Sequence, residues 1–144
     1  MSQTPEAARR ASDPDALLRL VRASICVAAI GSWIALVVLS LVPGVARPRT
    51  GLSGNTEHFI AYLLAAFATR LVFERPSSLW QVAGFSAAAG AFEILQTWVP
   101  GRTPAVDNWA TSLAGAAVGV GLAVGVTRLI RGRARASSAR IESP

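Results

Sequence analysis

Five polar side chains interrupt otherwise apolar stretches of the sequence, at spacings that place them on shared helix faces. His58 and Tyr62 are four residues apart, Glu93 and Gln96 are three apart, and Arg102 follows in a polar loop. Residues three or four apart are neighbours on one face of an α-helix. A carboxylic acid beside an imidazole could transfer protons, so Glu93 and His58 are the candidate catalytic residues. The same groups could instead bind the polar head of a ligand.

A second polar group opens the last apolar stretch of the chain. Asp107 and Asn108 are adjacent, and Ser112 lies four residues after Asn108. An acidic residue at a helix N-terminus also interacts favourably with the helix dipole, which is a simpler explanation for Asp107. Together the two groups predict a ligand-binding site made of these residues: His58, Tyr62, Glu93, Gln96, Arg102, Asp107, Asn108 and Ser112.

Other kinds of chemistry find little support in the sequence. The chain has one histidine and one cysteine, so neither a histidine-cysteine metal site nor an intramolecular disulfide is expected. The sequence contains no HExxH motif and no glycine-rich phosphate loop. We therefore expect no metal and no cofactor. The motifs favour a binding function, and they leave open whether the chain is an enzyme.

The composition indicates that membrane helices position these residues. Apolar residues make up 52% of the chain and charged residues 15%, whereas a soluble domain carries about 25% charged residues. Four apolar stretches, at about residues 23–42, 57–73, 79–99 and 104–128, are close to the ~20 residues that cross a bilayer. The sequence therefore predicts an all-α fold, an integral membrane bundle of four transmembrane helices.

Polar segments flank this predicted membrane domain of residues 23–128. Residues 1–22 are expected to be a cytoplasmic segment in which Pro14 begins a short interfacial helix. Residues 129–144 are expected to form a basic, disordered cytoplasmic tail. A cleaved signal peptide is an alternative for residues 23–42, although this stretch is longer than the ~7–15-residue apolar core of such peptides.

The arginines predict the orientation of the bundle. All 14 basic residues are arginines, and eleven of them lie before the first stretch, between the end of the second and the start of the third, or from the end of the fourth onward, counting Arg70 and Arg128 at the ends of their stretches. The positive-inside rule puts these segments and both termini in the cytoplasm. The candidate site then falls in the outer half of the bundle and faces outward. Because the arginines flank apolar stretches instead of forming one patch, we expect no nucleic-acid partner.

Small residues on the fourth stretch predict close packing of helices. Gly115 and Gly119 are four residues apart, and so are Gly121 and Gly125. Glycines in such rows let helix backbones approach closely in lipid. The partner helix could belong to this chain or to a second copy, so a homo-oligomer formed through the fourth helix is one interpretation. Trp33, in the middle of the first stretch, is predicted to pack between helices.

An ordered set of motifs resembles the VanZ-like family, named for an accessory protein of teicoplanin resistance. The set consists of Pro43 after the first stretch, then EHFIAYLLAAF, then EILQTWVPGRT, and then a helix that opens with an acidic residue and continues into glycines. The resemblance covers about residues 43–119. In the family, an aspartate stands six residues after the arginine and an asparagine four further on. This chain has Asn108 and Ser112 at those places, with Asp107 one residue early.

The resemblance implies a small multi-pass protein of the bacterial plasma membrane, linked to the cell envelope, and it marks the outer polar cluster as the family's shared site. We expect the lipid bilayer as surroundings and, as ligand, a lipid-linked envelope precursor or an amphiphilic antibiotic, as in glycopeptide resistance. One alternative is a membrane-embedded enzyme acting on a lipid-linked head group. Others are an assembly subunit of a membrane complex, or a purely internal network in which Glu93 pairs with Arg102 or His58.

Overall fold

The structure is a computed structural model that describes residues 14–48 and 50–141. This part of the chain contains one short 3-10 turn, no strand and four α-helices, which confirms the all-α prediction. The helices are α1 (Pro14–Leu41), α2 (Gly54–Val72), α3 (Ser78–Gln96) and α4 (Val106–Ile141). By length and composition, α1 and α4 could each cross a membrane.

Local sequence explains where the helices begin. α1 begins at Pro14, as predicted, because proline lacks the N–H that the first turn of a helix leaves unpaired. The hydroxyl of Ser53 accepts a hydrogen bond from the Thr56 N–H at 3.2 Å, which caps α2. Ser77 caps α3 in the same way through the Trp80 N–H at 3.3 Å. The caps satisfy backbone donors that the first turns leave free.

One of the two predictions about the polar segments needs correction, that of the tail. The first helix begins inside the predicted polar segment 1–22, and residues 1–13 and 142–144 lie outside the described residues. The predicted disordered tail is helical as far as Ile141, because it is rich in arginine and alanine, which favour helix. At 36 residues, α4 is about 54 Å long, well beyond the ~30 Å of a bilayer core.

Close packing of α2 against α4 holds the centre of the bundle. A Cβ built on Gly115 would overlap the carbonyl of Phe59, and one on Gly119 would overlap the carbonyl of Leu63. Both glycines are therefore packing positions, as predicted, and their partner is α2 of the same chain. The two predicted packing glycines that follow, Gly121 and Gly125, contact nothing: a Cβ on either meets no atom within 4 Å. At 3.6 residues per turn they lie roughly 120° around the helix from the packed face.

Helix α1 joins the bundle through an aromatic contact and otherwise packs loosely. The Trp33 ring stacks on Phe85 with centroids 4.8 Å apart, and its indole N–H donates to the Thr69 hydroxyl at 3.1 Å. Trp33 therefore packs between helices, as predicted. Elsewhere α1 leaves large side chains exposed, among them Val27 and Ile30. This loose packing leaves a cleft between α1 and α2.

The loops after α1 and α3 meet at one end of the bundle. Both contain the same tripeptide, Val-Pro-Gly, at residues 42–44 and 99–101. The Gly44 N–H donates to the carbonyl of Pro100 at 3.1 Å, and a Cβ on Gly44 would overlap the carbonyl of Gly101. Gly101 has a φ of +73°, which favours glycine. We call this the cavity end, and we call the opposite end, where residues 73–77 connect α2 to α3, the turn end.

Candidate functional site

A cavity of about 580 Å³ lies between α1 and α2 and reaches the loops of the cavity end. Four of the predicted site residues line it: His58, Tyr62, Gln96 and Arg102. Five more polar residues line it: Arg47, Thr50 and Glu57 near the loops, and Ser32 and Ser40 of α1. The remaining wall is mostly apolar and comes from both helices. The cavity therefore has a polar end near the loops and an apolar end deeper in the bundle.

An ion pair that the sequence analysis missed stands at the polar end. The Arg47 guanidinium donates to one carboxylate oxygen of Glu57, and the Thr50 hydroxyl donates to the other. The side chains of Arg47 and Glu57 are 30% and 18% exposed. The signal that could have revealed the pair is an acid directly before His58, facing a short loop that carries arginine.

Arg102 joins the loop after α3 to the end of α1. Its Nε donates to the carbonyl of Val42 at 3.0 Å, and one terminal nitrogen donates to the carbonyl of Leu39. Leu39 lies in the last turn of α1 and Val42 directly follows it, so no helical donor remains for either carbonyl. Burial, together with the positive charge of Arg47, lowers the pKa of Arg102 from its usual value, while Glu93 acts in the opposite sense. Arginine remains charged even so.

His58 connects α2 to α4 through Ser112. The His58 Nδ1 lies 3.2 Å from the Ser112 hydroxyl, which itself donates to the carbonyl of Asn108 at 2.7 Å. Because that bond takes the only hydroxyl proton, we assign Nδ1 as the donor to Ser112. The other ring nitrogen, Nε2, is then an acceptor in the neutral ring. Tyr62, one turn along α2, is only 1% exposed and packs against Phe85.

Glu93 lies apart from the cavity. Its carboxylate accepts the backbone N–H of Ala105 at 2.8 Å, and it borders a second cavity of about 380 Å³ beside Trp109. Within the described ranges no hydrogen bond or ion pair joins Glu93 to His58 or Arg102. The internal pairings considered for Glu93 are therefore not found there.

The two neighbours at the start of α4 face different ways. Asp107 is exposed, whereas Asn108 is half-buried and its carbonyl ends the hydrogen-bond chain from His58. Asn108, which stands where the family pattern has an aspartate, is therefore the more buried of the two. Neither residue lines the main cavity. No group of three histidine, cysteine, aspartate or glutamate side chains that could hold a metal ion occurs in the described part of the chain.

Gln96 is the least satisfied polar side chain of the site. It is 3% exposed, lines the cavity, and has no hydrogen-bond partner for its Nε2 among the described residues. Buried polar atoms in native proteins are nearly always paired. An amide donor is therefore available to whatever fills the cavity.

Comparison with known proteins gives one result. The VanZ/LLP1 family model matches residues 12–130, which is most of the chain. No curated protein and no solved structure matches it. The match includes both loops of the cavity end and every residue of the candidate site. This chain therefore belongs to the VanZ/LLP1 family, which confirms the family predicted from its motifs.

Proposed function

We propose that this chain is a four-span protein of the bacterial plasma membrane that binds an amphiphilic component of the cell envelope, or an amphiphilic antibiotic, in the cavity between α1 and α2. The observation that carries the proposal is the division of the cavity into two ends. Hydrogen-bond donors gather at one end and apolar side chains line the other. Ligand sites combine apolar walls with a few placed polar groups in this way.

The lengths and outer surfaces of α2 and α3 support the proposal that these two helices also span the membrane. Each helix has 19 residues, about 29 Å, which matches a bilayer core of ~30 Å. Large apolar side chains point outward from both, including Leu64, Leu79 and Ile94, at 56%, 76% and 62% exposure. Exposed apolar patches of this kind mark contact with a membrane or a partner. A bilayer around all four helices would cover them.

The arginine distribution supports the direction in which the cavity faces. Eleven of the 14 arginines lie in the segments on the side of the turn end. The positive-inside rule assigns that side to the cytoplasm. The polar end of the cavity, at the opposite side, then opens toward the cell envelope.

Antibiotic sensitivity in cells tests the proposal. We would express the chain in a teicoplanin-sensitive bacterial host and compare His58→Ala and Arg102→Lys with Glu74→Gln, a control at the turn end. Lysine cannot give arginine's fork of donors to two carbonyls. We expect both cavity variants to reach the membrane at normal abundance and to lose the protection that the parent chain gives. Retained protection in both would contradict the antibiotic-related role.

The same assay separates the alternative functions. An enzyme using Glu93 and His58 would need them together, and each instead has another hydrogen-bond partner, Ala105 and Ser112 respectively. We expect Glu93→Gln to leave the pools of lipid-linked precursors unchanged, and a change would favour the enzyme. An assembly subunit would be favoured if Gly121→Leu, on the open face of α4, removed the protection without lowering abundance.

A further inference from the structure

We infer that the ligand of the cavity is an anionic lipid that enters sideways from the outer leaflet. Its hydrocarbon chain would lie between α1 and α2, and its phosphate or carboxylate would lie among Arg47, Gln96 and Arg102. The inference rests on the proposed function, because it names a class of ligand for the same cavity.

The apolar part of the cavity opens through its side wall. Leu39 of α1 and Ile60 and Leu64 of α2 line the cavity and are also 43%, 41% and 56% exposed on the outside of the bundle. The gap between the helices therefore connects the cavity to the surface that lipid would cover. Along α1 the lining runs from Gly31 to Ser40, about 14 Å, close to the thickness of one leaflet of a ~30 Å core.

Hydrogen-bond donors at the polar end of the cavity are available to an acceptor on the ligand. The buried Nε2 of Gln96 has no partner among the described residues. Arg102 uses its Nε and one terminal nitrogen on α1 carbonyls, and a guanidinium carries five N–H donors in all. Phosphate and carboxylate oxygens are the acceptors that arginine binds best. The head group is therefore rich in acceptors.

The charge at the polar end favours an anion. Two guanidinium groups line it, and the only carboxylate that lines it in the described part of the chain is Glu57. Both oxygens of that carboxylate are already occupied, by Arg47 and Thr50. Arg102 thus has no counter-charge among the described residues that line the cavity, and the charge of Glu93 acts on it only from outside the cavity. A zwitterionic head would bring its own cation toward these arginines, so an anionic lipid fits better.

Photo-crosslinking tests the inference without any mutation. The full chain would be placed in phosphatidylcholine nanodiscs containing a trace of lipid with a diazirine in its acyl chain. Two probes would share the same chains and differ only in head group, phosphatidylglycerol or phosphatidylcholine. We expect phosphatidylglycerol to label residues 31–39 and 60–64 about tenfold more, as loss of a charge-assisted contact would predict. Equal labelling by the two probes would overturn the inference, since the cleft would then be an ordinary lipid contact.

Matched glycine variants locate the site. A Cβ on Gly31, which lines the cavity, meets no atom within 4 Å, and the same holds for Gly84, which lies outside it on α3. Gly31→Leu would occupy the path of the chain, so we expect it to abolish the preferential labelling, whereas Gly84→Leu would keep it. Arg47→Gln should bring the two probes to near parity. Unchanged labelling in Gly31→Leu would argue against the site.

The labelling assay and the sensitivity assay test the lipid inference and the proposed function independently. If the anionic preference is absent while His58→Ala and Arg102→Lys still remove protection from teicoplanin, the lipid inference is wrong and the proposed function stands. If the preference is present while those variants leave protection unchanged, the cavity binds lipid and the antibiotic-related role is wrong.

Discussion

The two ends of the bundle are built from the same three features, yet only one end encloses a large cavity. Each end has an arginine–glutamate ion pair, an arginine that donates to backbone carbonyls, and a buried glutamine atom without a partner among the described residues. At the cavity end these are Arg47 with Glu57, Arg102, and Gln96. At the turn end they are Arg131 with Glu74, Arg70, and Gln81.

At the turn end, side-chain donors bond to carbonyl groups of the connecting loop. Arg70 donates to the carbonyls of Phe73, Glu74 and Pro76 at 3.1, 2.9 and 3.0 Å. The Gln81 amide donates to the Phe73 carbonyl at 2.6 Å, so the atom that lacks a partner in the described chain is its acceptor oxygen. These contacts, made by one terminal nitrogen of Arg70 and by the Gln81 amide, close a tight connection between α2 and α3.

The cavity end differs in its unpartnered glutamine atom and in the burial of its ion pair. There the unpartnered atom is a donor, the Nε2 of Gln96. The Glu57 side chain is 18% exposed, against 47% for Glu74. The difference teaches that similar residues close a turn where backbone carbonyls are near, and leave a buried donor beside a cavity where the helices lie apart.

The largest expected effect comes from a substitution that separates two helices and so disrupts both ends of the bundle. Gly119→Leu would force α2 away from α4, because even a Cβ at that position overlaps the Leu63 carbonyl. We expect a loss of about 3 kcal/mol in the free energy of unfolding, measured by SDS titration of the purified protein. Gly121→Leu is the control, since nothing lies within 4 Å of a Cβ there. Similar losses in the two variants would contradict the packing described here.

An effect of intermediate size should distinguish the two ion pairs by the stability lost when each is broken. Glu57→Gln leaves Arg47 half-buried without its counter-charge, and we expect it to cost about 2 kcal/mol of unfolding free energy. Glu74→Gln breaks a more exposed pair with Arg131 and should cost less than about 1 kcal/mol. The same SDS titration measures both. A larger cost for Glu74→Gln would reverse the comparison.

The smallest effect is a change in stability on replacing the glutamine at each end, and we expect its sign to differ between the two ends. Gln96→Leu removes a buried donor that has no partner in the described chain, so we expect stability to stay within about 0.5 kcal/mol of the parent or to rise. Gln81→Leu removes the bond to the Phe73 carbonyl and should destabilise by about 1 kcal/mol. Thermal unfolding followed by tryptophan fluorescence in detergent would detect the difference. Destabilisation by Gln96→Leu would show that its amide is already satisfied in the folded protein.

The helices and one packed face could be predicted because they depend on local spacing. The row of Gly115 and Gly119 predicted close approach, and Trp33 was expected between helices. The following row, Gly121 and Gly125, has the same spacing but faces open space. Spacing marks a face that could pack, and only the position of the neighbouring helix decides which face does.

The candidate site could be predicted in part. The four-residue spacings placed His58 and Ser112 on faces that do meet, at 3.2 Å. The contact of Arg47 with Glu57 depends on the path of the loop between α1 and α2, and helix periodicity carries no information about that path. Glu93 binds the backbone of Ala105 because the loop after α3 folds back over it. Sequence spacing within one helix could not reveal either contact.

The meeting of Gly44 with Gly101 has a consequence for how the protein is made. Gly44 belongs to the first helical hairpin, and Gly101 to the second, which leaves the ribosome later. If all four helices span the membrane, as proposed, the first hairpin, α1 and α2, would insert with both apolar walls of the cleft and without the residues that complete its polar end. Gln96 and Arg102 would follow with the second hairpin, α3 and α4, and the contact between the two Val-Pro-Gly turns would then complete the polar end of the cavity.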